Sequence, residues 1–260
     1  MKIATWNVNS LRARIERVVE WIDEAGPDVL LMQEIKTVAE TFPRDAFESR
    51  GYALHVVGQK SYNGVAIASR LPMTPGLSTL PGDTDDLQAR YAEAVIGDGP
   101  SAVRVAAIYL PNGNPAPGEK FDYKLAWLAR LDGHVRHLMA GEETFVLGGD
   151  YNVIPESRDV HDPAAWQNDA LFRPESRAAL RTLLHHGLTD AYRAVHPDTI
   201  AYSYWDYQGG AWQKDNGIRI DHLLQSPAAA DRLDGADIDR APRGREKASD
   251  HTPVWCTLSD

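Results

Sequence analysis

The chain has 260 residues, enough to bury a large core as one α/β unit, and no Gly/Ser-rich linker or break in composition divides it, so a single domain over 1–260 is expected. Its 37 acidic residues outnumber 27 basic ones, and the resulting net charge of −10 argues against nonspecific coating of polyanions or of an anionic membrane surface. The single cysteine, Cys256, excludes an intrachain disulfide, and with no apolar leader or bilayer-length apolar run the sequence reads as a soluble, cytoplasmic protein without a membrane partner.

Lys2 to Trp6 reads as a strand that ends in the polar run Asn7-Val8-Asn9-Ser10. Ser10 is the expected N-cap of a helix whose Leu11, Ile15, Val18, Val19 and Ile22 share one face, and Gly26-Pro27 closes it. Val29 to Met32 is short and continuously apolar, as a strand buried on both faces should be, with Gln33-Glu34 at its far end. Strands joined by one crossover helix run parallel, which predicts that Asn7, Asn9 and Glu34 share one edge of the sheet. Tyr52 to Val57 and Val65 to Ala68 are the next predicted strands, joined through Lys60 to Gly64, where Asn63-Gly64 signals a turn. Residues 72–82 read as loop, and Asp83 to Asp86 as a solvated acidic patch. Tyr91 to Ile96 and Val103 to Tyr109 follow as strands, and Leu110 to Pro115 is turn chemistry at a strand end.

From Lys120 to Met139, Phe121, Leu125, Leu128, Leu131, Val135 and Leu138 recur at helical spacing. That helix leads to a buried strand over Thr144 to Leu147, which the reading ends at Gly148-Gly149, leaving Asp150 and Asn152 on the turn. Open α/β folds place their chemistry at such strand ends, so Asp150 reads as a reactive carboxylate. Residues 153–168 look irregular, Glu175 to His185 helical, and Tyr202 to Tyr207 a strand of aromatic character. Gly209 to Trp212 is a loop, and Ile218 to Leu224 and Pro253 to Leu258 are strands, with Ser249-Asp250-His251 just before the last. His161, His185, His186 and His222 read as structural. The sequence holds no solenoid repeat and no glycine-rich phosphate loop.

The polar residues at strand ends are Asn7, Asn9, Glu34, Tyr109, Asp150, Asn152, Asp221, Asp250 and His251. This set supplies what a metal-assisted attack on a phosphodiester needs. Oxygen ligands from Glu34 and Asn7 suit a hard cation such as Mg²⁺, with Mn²⁺ the alternative, and no His/Cys cluster offers a zinc site. His251 paired with Asp221 would hold an imidazolium against the phosphorane while Asp150 and Asn152 orient and deprotonate water. Tyr109 would donate to a nonbridging oxygen or sit as a phenolate near the metal.

Six segments, Trp6 to Ala13, Gln33 to Lys36, Tyr109 to Gly113, Gly149 to Asn152, Arg219 to Asp221 and Ser249 to His251, resemble the exonuclease III family of apurinic/apyrimidinic endonucleases in order and spacing. The resemblance spans the chain and implies the four-layer α/β sandwich of the DNase I-like superfamily, two facing sheets rather than the single open sheet that the strand pattern alone allows. It implies Glu34 and Asn7 as metal ligands, with Asp150, Asn152, Asp250 and His251 also at the metal. It gives Asp150 the activation of water with Asn152 as partner, and makes His251–Asp221 the His–Asp pair and Tyr109 the phosphate-proximal tyrosine. Asn9 stands where some relatives have aspartate, and it joins Arg12, Lys60 and Asn112 as a substrate contact. Tyr204, Ile218 and Ile220 line a pocket for a sugar without its base, roomier here because some relatives carry tryptophan at Ile218, and Trp212 is expected to act as a wedge in the duplex. The implied partner is double-stranded DNA with an abasic site or a 3′ end, and the implied state a monomer. A same-fold hydrolase of RNA, inositol phosphates or phospholipids, and a binding protein without catalysis, remain alternatives.

Overall fold

The computed structural model describes residues 1–259 and contains two six-stranded mixed sheets. The strands are β1 Lys2–Asn7, β2 Val29–Gln33, β3 Ala53–Val57, β4 Val65–Ser69, β5 Met73–Pro75, β6 Tyr91–Ile96, β7 Val103–Tyr109, β8 Phe145–Asp150, β9 Thr189–Asp190, β10 Asp221–Gln225, β11 Leu233–Ile238 and β12 Val254–Leu258. The helices are α1 Leu11–Ala25, α2 Asp45–Glu48, α3 Glu119–Ala140, α4 Pro163–Trp166, α5 Pro174–His185, α6 Ala191–Val195, α7 Ala211–Lys214 and α8 Pro227–Ala230.

One sheet runs β11-β12-β1-β2-β4-β3 and the other β5-β6-β7-β8-β10-β9. Each has one parallel pair at its centre, β1 with β2 and β7 with β8, and antiparallel pairs outside it. The two parallel pairs face each other across an apolar core that includes Ile3, Leu31, Ile67, Val105, Val146 and Leu223. On the outer faces, Trp21 and Ile22 of α1 pack over the first sheet, and Leu128, Leu131 and Val135 of α3 with Leu180 and Leu183 of α5 cover the second. The architecture is thus the four-layer sandwich, and the single-sheet alternative is excluded. Because both parallel pairs end at the same edge, Asn7, Glu34, Tyr109 and Asp150 are delivered to one place by four different strands.

The structure corrects the local reading at several points. β8 does not stop at Leu147 but runs through both glycines to Asp150. The glycines are required by close approach: a Cβ on Gly149 would lie 1.9 Å from the Ile108 carbonyl oxygen, and one on Gly148 2.6 Å from Leu31 of the facing sheet. Ser10 makes no side-chain cap and has φ 82°; its N–H instead donates to the Glu34 carbonyl at 2.7 Å, so the start of α1 is fixed by the neighbouring strand end. Residues 202–207 form no strand; Tyr204 makes only single bridges, to Ile218 and to His251, and regular pairing of the following segment begins at Asp221 rather than Ile218. Part of the segment read as loop forms β5, and β9 and β11 were not foreseen, being short or polar. In the acidic patch, Asp86 is not solvated: Arg130 Nη1 donates to it at 2.7 Å and the Tyr123 hydroxyl at 2.9 Å. Cys256 is buried, as expected, and burial pushes its thiol up to about 12. No helix among the described residues is long and apolar enough to cross a membrane.

Candidate active site

Asp150 closes β8 between β7 and β10, in register with Tyr109 on one side and Asp221 on the other, and is 2% exposed. Its carboxylate meets the other sheet through Asn7, whose Nδ2 donates to Asp150 Oδ2 at 2.9 Å and to Glu34 Oε1 at 2.9 Å. Asn7 Oδ1 accepts from the Asn9 N–H at 3.0 Å. Asn7 therefore presents nitrogen rather than oxygen to the two carboxylates; it spaces them, and service as an oxygen ligand would need its amide turned over. The other oxygen of Glu34 is 2.8 Å from Lys36 Nζ, which also donates to Asn9 Oδ1 at 2.6 Å, and Asn9 Nδ2 donates to Asp250 Oδ1 at 2.9 Å. Burial opposes the Glu34 charge, but the bonds from Asn7 and Lys36 hold its pKa below the ordinary value.

The His–Asp pair is formed. His251 Nδ1 lies 2.8 Å from Asp221 Oδ2, which also accepts from the Ser203 hydroxyl at 2.6 Å, and His251 Nε2 stands 3.7 Å from Asp150 Oδ2. Burial works against the imidazolium, yet the charges of Asp221 and Asp150 outweigh it and raise the His251 pKa to about 10. Asp221 Oδ1 is buried without a donor, which leaves its charge undiminished beside the ring. Two anchors hold the loop of His251 to β1: Ser249 Oγ donates to the Asn7 carbonyl at 2.7 Å, and Trp6 Nε1 to the His251 carbonyl at 3.2 Å.

Asp150 itself is pushed up to about 7, first by burial and then by Asp221, with the imidazolium of His251 and neutral donors pulling the other way. Asn152 N–H donates to Asp150 Oδ1 at 2.9 Å, Asn152 Nδ2 to the Leu110 carbonyl at 2.9 Å, and Asn112 Nδ2 to Asn152 Oδ1 at 3.2 Å. Tyr109 lies under Arg90, whose guanidinium is 4.8 Å from the ring centre; burial, with the charges of Glu34 and Asp150, pushes its hydroxyl pKa well above the ordinary value, which favours its part as a donor. Asn9, Ser10, Glu34, Lys36 and Asn152 all have φ between 42° and 82°. Left-handed backbone at so many non-glycine residues around one carboxylate is strain held by the surrounding bonds.

A cavity of about 220 Å³ opens beside Asp150. Glu34, Tyr109, Asn112, Asn152, Asp250 and His251 form its polar side, and Trp166, Leu171, Tyr204, Ile218 and Ile220 its apolar wall. The expected Tyr204, Ile218 and Ile220 are in place, with the Tyr204 ring edge-on to His251 at 4.9 Å. Sequence reasoning missed Asn114, in a segment read as turn, Trp166, in one read as irregular, and Asp169 and Leu171, which no predicted segment covers; their only signal is one tryptophan in a polar stretch. Arg12, in the first turn of α1, and Lys60, on the loop after β3, are exposed outside the cavity. Trp212, in α7, packs edge-on against Trp205 at 4.9 Å, with Arg240 4.8 Å over its ring, and lies outside the cavity.

Glu34, Asp150 and His251 each place one ligand atom within 4.8 Å of the others. The carboxylates of Glu34, Asp150, Asp221 and Asp250 gather here, with Lys36 2.8 Å from Glu34 and His251 2.8 Å from Asp221. A hard divalent cation fits this donor set in charge and in ligand type, Glu34 and Asp150 supplying oxygen.

Two facing sheets that bring carboxylates, a charged His–Asp pair and amide donors to one cavity with a polar side define an α/β-sandwich enzyme suited to the hydrolysis of phosphate esters. The sequence profile of the Endonuclease/Exonuclease/phosphatase family matches residues 4–251, and the chain belongs to that family, in its exonuclease III and AP endonuclease branch; it is a nuclease. It is 31% identical over 263 residues to exodeoxyribonuclease III of Haemophilus influenzae, with 98% of each chain covered. Among solved structures it is similar to an AP endonuclease from Archaeoglobus fulgidus, at 36% identity and TM-score 0.94 with both chains fully covered. It is also similar to a 3′ phosphatase, NExo, from Neisseria bound to product DNA hairpin, at 39% identity and TM-score 0.92 with 100% and 99% covered.

Proposed function

We propose that this nuclease is a Mg²⁺-dependent DNA repair phosphodiesterase that cuts duplex DNA on the 5′ side of an abasic site and trims 3′ ends. The observation that carries this reading is the cavity beside Asp150, polar around the reacting groups and apolar on the Trp166, Leu171, Ile218, Ile220 side. A volume of about 220 Å³ suits a deoxyribose with its phosphate and leaves little room for a base as well. Unstacking is least costly where the base is already missing or the strand ends. The relatives named for AP endonuclease, exodeoxyribonuclease and 3′ phosphatase activity, one of them bound to DNA, support the same substrate class.

In this mechanism Asp150, with a pKa near neutrality, takes a proton from water as the water oxygen bonds to phosphorus and the P–O3′ bond breaks, the leaving 3′ oxygen taking its proton from solvent to become a hydroxyl. His251, kept charged by Asp221, donates from Nε2 to a phosphate oxygen, and Tyr109 and the amides of Asn112 and Asn152 add neutral donors to the others. Glu34 and Asp150 would hold the cation, with Asp250 near enough to act through water; when bound, it supplies positive charge against the charge developing on the phosphate and leaving group.

The net charge of −10 does not oppose a DNA partner, because it is unevenly offset. Arg50, Arg104, Arg130, Arg136, Arg158 and Arg245 are paired with acids. Arg12 and Arg14 at the start of α1, with Lys60, Arg90 and Lys247, have no carboxylate within 4.0 Å among the described residues, which leaves their charges available to phosphates. The deciding assay uses three duplexes, one with an abasic site, one with a recessed 3′ end and one with a 3′-phosphate, each with Mg²⁺ and with chelator. Metal-dependent turnover is expected on all three; no turnover on any of them would overturn the reading.

A further inference from the structure

Lys124, in the second turn of α3, is 0% exposed and has no carboxylate within 4.0 Å among the described residues. Its Nζ donates to two backbone carbonyls, that of Asn112 at 3.0 Å and that of Asn152. These belong to the loops after β7 and β8, which no ladder joins beyond the bond from Leu110 N–H to the Asp150 carbonyl. Both loops depart from ordinary backbone here. Asn152 has φ 47° and Gly113 φ 90°, and a Cβ on Gly113 would stand 2.6 Å from Lys124 Cδ, so the lysine stem and the glycine turn are fitted to each other.

A buried amine is an expensive way to close a core, since methionine would fill the same space without desolvating a polar head. Burial pushes the Lys124 pKa down to about 7. The bonding does not depend on the charge, because a neutral amine still carries two N–H groups for two carbonyls. What the amine secures is the relative placement of two loops whose side chains, Asn112 and Asn152, meet at 3.2 Å on the polar side of the cavity.

We infer that Lys124 is a positioning residue: by clamping the carbonyls of Asn112 and Asn152 it holds their side-chain amides where the phosphate is received. This rests on the proposed reading of the cavity as the phosphodiester site. The clamp explains why a lysine is buried beneath the site, and it assigns α3 a role in the chemistry besides covering the sheet.

A double-mutant cycle tests it. Lys124→Met leaves two carbonyls without their donor and is expected to lower the melting temperature moderately; per folded enzyme it should lower kcat on the abasic duplex by about 10–100-fold and leave KM within a few-fold, since small misplacement of binding groups is felt mainly in the transition state. Asn152→Ala should lose activity by itself, and in that background Lys124→Met should cost less than about three-fold more, because its effect travels through Asn152. Full losses that multiply, or a Lys124→Met enzyme with wild-type kcat, would overturn the assignment. So would a fall in kcat only in proportion to lost folded protein, the signature of a merely structural lysine. Should Lys124→Met not fold, Gly113→Ala strains the same clamp from the loop side and is expected to lower kcat with KM little changed; unaltered kcat would count against the clamp. Wild type and Asn152→Ala are assayed first: no difference between them would sink the cavity reading itself, whereas a large difference with a silent Lys124 would sink only the clamp.

Discussion

Glu93 and Asp150 are carboxylates of the same sheet, 1% and 2% exposed, and their surroundings drive them in opposite directions. Burial would raise both. At Glu93 it is overcome by His134 Nε2 at 2.9 Å, the Tyr91 hydroxyl at 2.7 Å and the guanidinium of Arg104, so its pKa falls below the ordinary value. At Asp150 the close donors are the neutral Asn7 amide and Asn152 N–H, His251 is 3.7 Å away, and Asp221 adds a like charge, so the pKa is pushed up to about 7. One buried acid is satisfied by its own fold. The other is left short of positive charge, and it is the one beside the cavity.

The largest effect that would break this contrast is on catalysis. Asp150→Asn should lower kcat by roughly 10²–10⁴-fold, the size of a lost general base, whereas Glu93→Gln should leave kcat near wild type. Stability should move the opposite way. A carboxylate whose folded pKa is raised from 3.8 to about 7 favours the folded state below the lower value, and that contribution is lost as pH rises through 7. In chelator at pH 8 Asp150→Asn should therefore melt higher than wild type, and the gap should close toward pH 4; a gap that widens on acidification would contradict the shift.

Glu93→Gln should instead destabilise by roughly 2–4 kcal/mol, because Arg104 loses a buried counter-charge while keeping only Glu143. Denaturant unfolding reads this directly, and an unchanged midpoint would mean that the network contributes little. Glu34→Gln tests the shortage of positive charge from the metal side: the Mg²⁺ concentration for half-maximal rate should rise about ten-fold or more, a neutral amide being the poorer ligand for a hard cation. An unmoved metal titration would take Glu34 out of the cation's reach. The smallest effect is expected at Trp212, which shares the aromatic character of the cavity wall without belonging to it. Trp212→Ala should cost about 1–2 kcal/mol in packing on Trp205 and Arg240, with cleavage of abasic duplex within about two-fold of wild type. A larger loss in cleavage than in stability would restore the wedge.

Much of the molecule is legible in the chain. Apolar runs of strand length followed by polar residues mark β1, β2, β7 and β8 and, at their ends, Asn7, Glu34, Tyr109 and Asp150, because a buried strand must be apolar until it reaches the edge where water and substrate begin. The six ordered motifs carry the family and, through it, the two-sheet architecture. Periodicity within one strand could not say which sheet it joins. It also could not tell a glycine that ends a strand from Gly149, where a neighbouring backbone leaves no room for a Cβ.

What the tertiary structure alone decided are the relations between segments far apart in sequence. Asn7 ties Glu34 of its own sheet to Asp150 of the opposite one, Trp166 at the end of α4 and Leu171 in the turn after it close the cavity, and Lys124 ties two loops from inside a helix whose pattern announces only an apolar face. A local pattern records which residues are kept from water, since burial acts on each side chain separately. It does not record which polar atoms then find each other. That depends on distances set by the packing of the two sheets, and the same packing gives Glu93 charged donors and leaves Asp150 with only neutral ones in hydrogen-bond reach.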